Sequence, residues 1–453
     1  MVLSGCVSRT DTQATASTSQ PAKSAIQPTS TTDTTTNGAI TAANAILNQS
    51  AGASASVKVQ VPQSMRTGAF AQDRTLNVPP KFALAVYARI PNARFMAETP
   101  NGDLLVSVPV AGKIMLVQAV QGSDPRVSEF VTGLRNPHDI VFHTIGNTTY
   151  MYVSESNQID RYIYHQSDAQ AQGRQVVVPD LPDSRLPEMH GVYSHELKNI
   201  ALDSNHKLYV SIGSSCNVCL SDTMSNPLRG AIYQYNADGS AGRLYARGLR
   251  NAEGLAFIPG TNELWVAVNN RDNLAYPHQD ATGQYGKVIP AYVDNHPPEE
   301  FTHVRDGGNY GWPFCNPSLD QSVDTMPFER DVQFNADGHV DCSKMDRIDK
   351  GIQAHSAPLG LAFMQDAKTM QVGALIGLHG SWNRTIPTGY KVIYFPWNMQ
   401  TKLPGKQIDL VTGWSDNGSL AWGRPVDSIV DQQGNILISD DASGTVYKLS
   451  YNA

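Results

Sequence analysis

An all-β fold, a six-bladed β-propeller, is what this sequence predicts, and three observations predict it. The first is a phrase that returns six times: an apolar pair, a Gly/Asn/Asp-rich turn, then a run of the type Leu-Tyr-Val-Ser. The copies are Phe95–Val108, Ile140–Ser154, Ile200–Ile212, Leu255–Val268, Leu361–Gly377 and Ile429–Ser439. Each reads as two short strands about a tight turn, and repeated four-strand sheets with variable insertions mark propellers. The second is turn chemistry at Asn101-Gly102, Gly146-Asn147, Asn205-His206, Gly260-Thr261 and Gly434-Asn435, the residue types that hairpin turns demand. The third is composition. With 36 Gly, 27 Pro and 41% hydrophobic residues, the chain suits a turn-dense, globular β protein.

The elements follow in order. Leu3-Ser4-Gly5-Cys6 resembles the lipobox of bacterial lipoproteins, in which Cys6 is lipidated; the charged and apolar parts of a signal peptide do not precede it here. A chance tetrapeptide is the alternative, and the Ser/Thr/Ala-rich tract that follows favours the anchor. Residues 7–77 therefore read as a flexible linker, too poor in apolar and aromatic residues to offset ordering entropy, with a short helix at Ala39–Leu47. The propeller is expected over 78–453. Phe82–Ile90 is its first strand and completes the sheet of the last blade, closing the ring against Gly434–Tyr451 and protecting the edges. Two insertions interrupt the pattern, Asp180–Ser194 before the third copy and Asn269–Val304 within the fourth blade. Loops this long are commonly functional. The net charge of −7 argues against a nucleic-acid partner.

Apart from Cys6 there are four cysteines, Cys216, Cys219, Cys315 and Cys342. An even number suits an exported protein, periplasmic or surface-bound, with disulfides. Of the three possible connectivities, Cys216–Cys219 with Cys315–Cys342 is favoured. A zinc or redox reading of Cys216-Asn-Val-Cys219 ranks behind it, for want of a second ligand pair.

Chemistry-bearing side chains recur just upstream of the inner strands: His138, His195, Arg250 with Asn251, His355 and Arg424. A lone histidine is usually a hydrogen-bonded structural group. Five blades placing His or Arg at matching points imply an axial pocket with anion-binding guanidiniums and a titratable base.

Five segments carry a resemblance: Gly248-Leu-Arg-Asn-Ala-Glu-Gly-Leu-Ala-Phe257, Val268-Asn-Asn-Arg-Asp272, Asp306-Gly-Gly-Asn-Tyr-Gly-Trp-Pro313, Leu378-His-Gly-Ser-Trp-Asn-Arg384 and Gly423-Arg-Pro-Val-Asp427. Together, over roughly residues 78–451, they resemble the sugar dehydrogenases dependent on pyrroloquinoline quinone (PQQ), and within them the sorbosone/pyranose dehydrogenases more than the soluble glucose dehydrogenases. The resemblance implies that His195 is the base that takes a sugar hydroxyl proton while hydride leaves for the quinone. It implies that Arg250 and Asn251 contact the quinone oxygen, that Arg384 and Arg424 bind PQQ carboxylates, and that Asp441 shares the pocket. It implies one Ca²⁺ held partly by the backbone carbonyls of Arg271 and Asp272.

Against the glucose dehydrogenases, Asn270 stands where Gln is expected, Glu299 where Asp, Arg384 where Lys, and Ser194 precedes His195. These departures suit the sorbosone-like branch and tell against glucose itself as substrate. His138 and His355 are pocket candidates without an assigned role. Electrons are expected to pass to an external quinone or cytochrome, because Cys219 is followed by Leu220 and no Cys-x-x-Cys-His haem motif occurs. The alternatives are a non-catalytic carbohydrate- or protein-binding propeller, and a metal-dependent hydrolase of the lactonase type.

Overall fold

The computed structural model describes residues 54–318, 326–365, 372–398, 400–415 and 421–451. Cys6, the helix expected at Ala39–Leu47 and the rest of the linker up to residue 53 lie outside them.

Six antiparallel sheets form the blades. The innermost strands are Met96–Glu98, Ile140–Ile145, Ile200–Leu202, Ala252–Phe257, Pro358–Gln365 and Pro425–Val430. Each pairs with the second strand of its copy, so all six phrases are inner hairpins as expected. The second strands Leu104–Val108, Leu264–Val268, Val372–Leu378 and Ile436–Asp440 are buried at every position. Their near-continuous apolar runs follow from that, since neighbouring blades cover both faces. The last blade takes its fourth strand from the other end of the chain: Phe82–Arg89 pairs with Thr445–Tyr451. This outer strand alternates buried and half-buried residues, as a strand with one wet face must.

Buried carboxylates join blade to blade. Asp139, leading into the second blade, accepts the Ile140 N–H at 2.8 Å and the Ile200 N–H of the third blade at 3.0 Å. Asp427 does the same between the sixth and first blades, with Ser428 N–H at 2.8 Å and Met96 N–H at 3.0 Å. Glu299 links the fourth to the fifth through the Asn270 and Ala357 amides. Burial pushes Asp139 and Glu299 up to about 7 and Asp427 to about 6. A Cβ on Gly360 would lie 2.2 Å from the Asp427 carboxylate, so only glycine lets the fifth blade close onto it.

Two readings need correction. Residues 54–77 are not linker: Ala55–Lys58 pairs with Thr75–Val78, and Val59, Phe70 and Leu76 are buried in the core cluster of the fifth and sixth blades. Bridges from Gln60 to Ala85 and from Asn77 to Thr412 fasten this hairpin to both. The insertion in the fourth blade is also shorter than expected, because Glu299–His303 is that blade's third strand.

A second excursion separates that strand from the fourth, Lys350–Ile352. It carries the small sheet Cys315–Pro317/Phe328–Arg330 and a parallel pairing of Gly308–Asn309 with the third blade. The disulfide Cys315–Cys342 closes it, and Cys216–Cys219 is the other, both as favoured, each with Cα atoms 5.6 Å apart.

Asp427→Ala strands two buried amides that the carboxylate now satisfies. The expected loss is about 1–3 kcal/mol for each of them, read as a lower urea midpoint; an unchanged midpoint would show that the junction between sixth and first blades rests on packing alone.

Candidate active site

The lead-in loops of the inner strands meet at one end of the propeller axis, and their side chains touch across blade boundaries. His195 precedes the third inner strand. Its Nδ1 lies 2.8 Å from the Ser214 carbonyl and 2.9 Å from the Ser214 hydroxyl, while that hydroxyl donates to the Cys216 carbonyl at 2.8 Å. Both are acceptors, so Nδ1 carries the proton and Nε2 presents a lone pair. Among the described residues nothing hydrogen-bonds to Nε2. Burial, reinforced by Arg250, lowers the ring to about 4. At neutral pH His195 is an uncharged imidazole with a fixed tautomer. A Cβ on Gly213 would collide with both His195 and the Asn251 amide, at 2.7 Å each, so glycine there lets the two lie side by side.

Arg250 is buried. Its Nη1–H donates to the Asn270 carbonyl at 2.7 Å, its Nε–H to the Asn217 carbonyl at 3.1 Å, and its Nη2 lies 3.3 Å from the Asp272 carboxylate. The other oxygen of Asp272 faces His355 Nδ1 at 3.3 Å. His355 Nε2 meets two carbonyls, Val293 at 2.8 Å and His296 at 3.2 Å. Every neighbour of the His355 ring is thus an acceptor, which demands a proton on both nitrogens. Burial alone would lower this histidine; Asp272 and Glu299 outweigh it and raise it. The cluster Arg250–Asp272–His355 carries two cations on one carboxylate.

On the opposite side, Asp441 accepts from Arg94 Nη1 at 2.9 Å and from His379 Nε2 at 2.9 Å. Burial raises Asp441, but His379 and Arg94 together hold it below the usual carboxylate range. Arg424 donates from Nε to the His379 carbonyl at 2.9 Å and from Nη2 to the Gly380 carbonyl at 3.1 Å. Arg384 likewise donates to carbonyls, those of Ile386, Asp294 and Ala354. Among the described residues neither Arg384 nor Arg424 forms an ion pair. His138 completes the ring: burial keeps it neutral, and its Nε2–H donates to Glu253 at 3.1 Å while Asn251 Nδ2–H donates to the other Glu253 oxygen at 3.0 Å.

The cluster gathers His138, His195, Arg250, Asn251, His355, Arg424 and Asp441, all of them candidates read from the sequence. Arg384 stands at the rim beside the Ala354–His355 segment. Asn270 is turned away, its Nδ2–H donating to Pro298 and Glu300. Four contributors were not foreseen: Arg94, His379, Asn217 and Asn383, the last within 3.5 Å of Asp272. Arg94 had a signal, since it immediately precedes the first copy, Phe95–Val108, and so supplies the cation of the first blade, the one blade for which none was named. An outer cleft of about 590 Å³ lined by Arg135, Arg174 and Arg185 shares none of these residues.

The donor set fits a small polyanion. Two guanidiniums lack carboxylate partners, and the buried Arg94 Nε–H donates no hydrogen bond. For a cation the set is leaner. The Arg271 carbonyl accepts no hydrogen bond among the described residues, the Asp272 carbonyl accepts Asn217 Nδ2–H at 2.9 Å and Arg271 Nε–H at 3.5 Å, and no group of three His, Cys, Asp or Glu that could hold a metal occurs among them. A carbonyl has two lone pairs, so Asp272 could keep Asn217 and face an ion only by giving up the long bond from Arg271.

Fold and site define a six-bladed propeller with a cationic, histidine-bearing axis. The TrAA12-like family profile matches residues 82–452, and the chain belongs to that family. It is 26% identical over 277 residues to a pyrroloquinoline quinone-dependent pyranose dehydrogenase of Coprinopsis cinerea, a match covering 52% of this chain and 37% of that protein. The chain thus spans well under half the length of that relative. The calcium structure of a Trichoderma reesei protein of carbohydrate-active enzyme family AA12 superposes with a TM-score of 0.69 at 20% identity, over 83% of this chain and 96% of that one. The holo form of the PQQ domain of the Coprinopsis cinerea pyranose dehydrogenase superposes with 0.67 at 19% identity, over 83% and 97%.

Because Nδ1 is committed to Ser214, ¹⁵N NMR of the His195 ring should report an Nδ1–H tautomer that resists protonation down to about pH 5, with a midpoint near 4. A midpoint near 6.5 would mean that the ring is open to water and its tautomer unfixed.

Proposed function

We propose that this protein is a quinoprotein sugar dehydrogenase that oxidises an aldose or related pyranose. The observation that carries the reading is the axis itself: a neutral imidazole with a free Nε2, near three guanidiniums, Arg94, Arg384 and Arg424, that keep unused hydrogen-bonding capacity. PQQ, when bound, supplies the acceptor for the hydride of the sugar C–H. The family to which the chain belongs and the PQQ-dependent pyranose dehydrogenase it resembles support that choice of cofactor.

The chain's own residues do the rest. His195 Nε2 takes the proton of the hydroxyl whose carbon loses hydride; its depressed basicity keeps it unprotonated across the physiological range. Arg250, whose N–H groups are all held by Asn217, Asn269, Asn270 and Asp272, would offer a quinone oxygen a fixed positive charge rather than a hydrogen bond. Asn251 stands next to His195 and contributes a second polar group. Arg424 and Arg384, with Arg94 behind Asp441, would neutralise the three carboxylates of PQQ. His355, as an imidazolium, holds Asp272 ionised and in place. Ca²⁺ would be held by the carbonyls of Arg271 and Asp272, a reading supported by the related protein's calcium structure; ordinary carbonyl ligands suit this hard cation.

The two disulfides support export to an oxidising compartment. Among the described residues no helix is long and apolar enough to cross a membrane. Attachment by a lipid on Cys6, with electrons passing to an external quinone or cytochrome, completes the reading.

The experiment is to titrate metal-free apo-protein with PQQ and Ca²⁺, record the absorption spectrum, then add sugars. His195→Ala should bind PQQ as the parent does and lose sugar-dependent reduction by ~10²–10⁴-fold. Arg424→Ala should lose cofactor affinity first and regain activity at high PQQ. In the parent, kcat/KM should be insensitive to His195 titration above pH 5 and fall as pH drops through about 4, where the base becomes protonated. Parent-like turnover by His195→Ala would move the base to another group. Sugar binding without any PQQ binding would make the protein a carbohydrate-binding propeller.

A further inference from the structure

The short loop Cys216-Asn217-Val218-Cys219 belongs to the third blade, yet its bonds run to the fourth. Asn217 Oδ1 accepts Arg250 Nη2–H at 3.1 Å and the Asp272 backbone N–H at 2.8 Å. Its Nδ2–H donates to the Asp272 carbonyl at 2.9 Å. Its own carbonyl accepts Arg250 Nε–H at 3.1 Å and the indole N–H of Trp312 at 3.3 Å. One residue thus grips the guanidinium on two of its nitrogens and brackets the Asp272 peptide from both sides. The chain just before it performs a parallel task, since Ser214 orients His195 and its hydroxyl donates to the Cys216 carbonyl.

Both ends of the loop are anchored. Upstream, Ser215 bonds through N–H and hydroxyl to the buried Asp222, which pairs with Arg229. Within the loop, the Cys216–Cys219 disulfide closes the turn. A free four-residue turn would have to lose conformational entropy to present Asn217 in this one pose; a covalently closed one has lost much of it already. A disulfide here is not explained by the stability of a long loop, because it spans a separation of 3 residues. It is explained by the orientation of the residue it encloses.

We infer that Asn217 is a positioning residue. The disulfide-closed loop holds it so that it sets the direction of the Arg250 guanidinium and of the Asp272 carbonyl, and through them the fit of PQQ. The inference rests on the quinone reading of the axis. It deepens that reading by assigning the Cys-x-x-Cys motif a role in registering the two sides of the site, His195 on one blade and Arg250 with Asp272 on the next.

The test uses the full chain as apo-protein: parent, Asn217→Ala, and the double variant C216S/C219S. Each is titrated with PQQ in the presence of Ca²⁺, following both the dissociation constant and the absorption band of bound PQQ, and each apo-protein is melted. Losing charge-assisted hydrogen bonds to Arg250 is expected to weaken PQQ binding in Asn217→Ala on the order of tenfold or more. It is also expected to move the absorption band, with an apo melting temperature close to that of the parent. C216S/C219S should shift the same two readouts in the same direction and by less. A parent-like dissociation constant and band in Asn217→Ala would overturn the inference; should that variant not fold, the same parent-like result in C216S/C219S would do so. A parent protein that binds no PQQ would instead remove the quinone reading itself, and the inference with it.

Discussion

Closure of the ring is the constraint on which the rest depends. The ladder between Phe82–Arg89 and Thr445–Tyr451 brings residues from the two ends of the chain into one sheet. Without it the sixth blade has an open edge and the first blade has no fixed neighbour on that side. With it, side chains 347 positions apart in sequence face each other at the axis, as Arg94 and Asp441 do. The carboxylates at the junctions then set the angle between neighbours, Asp427 between the sixth and first blades and Asp139 between the second and third. Their partners are backbone amides, joined at Asp139 by the Asn199 side chain at 3.4 Å. Buried acceptors of this kind are costly to leave unmatched, which makes each junction specific in register.

The site inherits its chemistry from that convergence. One blade supplies one or two polar groups, and none could act alone. His195 is neutral because it is buried and near Arg250; His355 is charged because all its neighbours are acceptors. Two histidines in one site thus adopt opposite protonation states from their surroundings. The cations divide in the same way. Arg250 and Arg94 share carboxylates with histidines and are held rigidly, whereas Arg384 and Arg424 hold only carbonyl oxygens and keep their full charge for a ligand. An acidic chain, at −7 overall, concentrates unpaired positive charge at its axis.

Much of this was legible in the sequence. The period of the inner hairpins gave away the blade count, because Gly, Asn and His at positive φ are what such turns need; His206 sits at φ 58° and Gly434 at 81°. The lead-in residues were found by their place relative to that period. Arg94 was within reach by the same rule and was passed over for lack of a motif around it. His379 lies in the quoted segment Leu378–Arg384, but at the exit of a second strand rather than the lead-in to a first, so the positional rule did not point to it. Asn217 could not be found this way, since its partners lie 33 and 55 residues downstream. The hairpin at 54–78 was hidden by its setting: the alternation Val57, Val59, Val61 is short and follows directly on a Ser/Thr/Ala-rich tract, and Val59, Phe70 and Leu76 are buried against the blades they cover. The excursion between Val304 and Lys350 was hidden for the converse reason, that its fold depends on a disulfide and short, irregular pairings.

The central claim is that this axis receives one molecule of PQQ, with its carboxylates on the guanidiniums and its quinone oxygens toward Arg250. X-ray diffraction from crystals of the protein soaked with PQQ tests it most directly. The account predicts density for a single PQQ at the axis, its carboxylates within hydrogen-bond reach of Arg424 and Arg384 and His195 Nε2 facing the space left for a sugar. Density in the outer cleft near Arg135 and Arg174, or an axis without PQQ at saturating concentration, would contradict it.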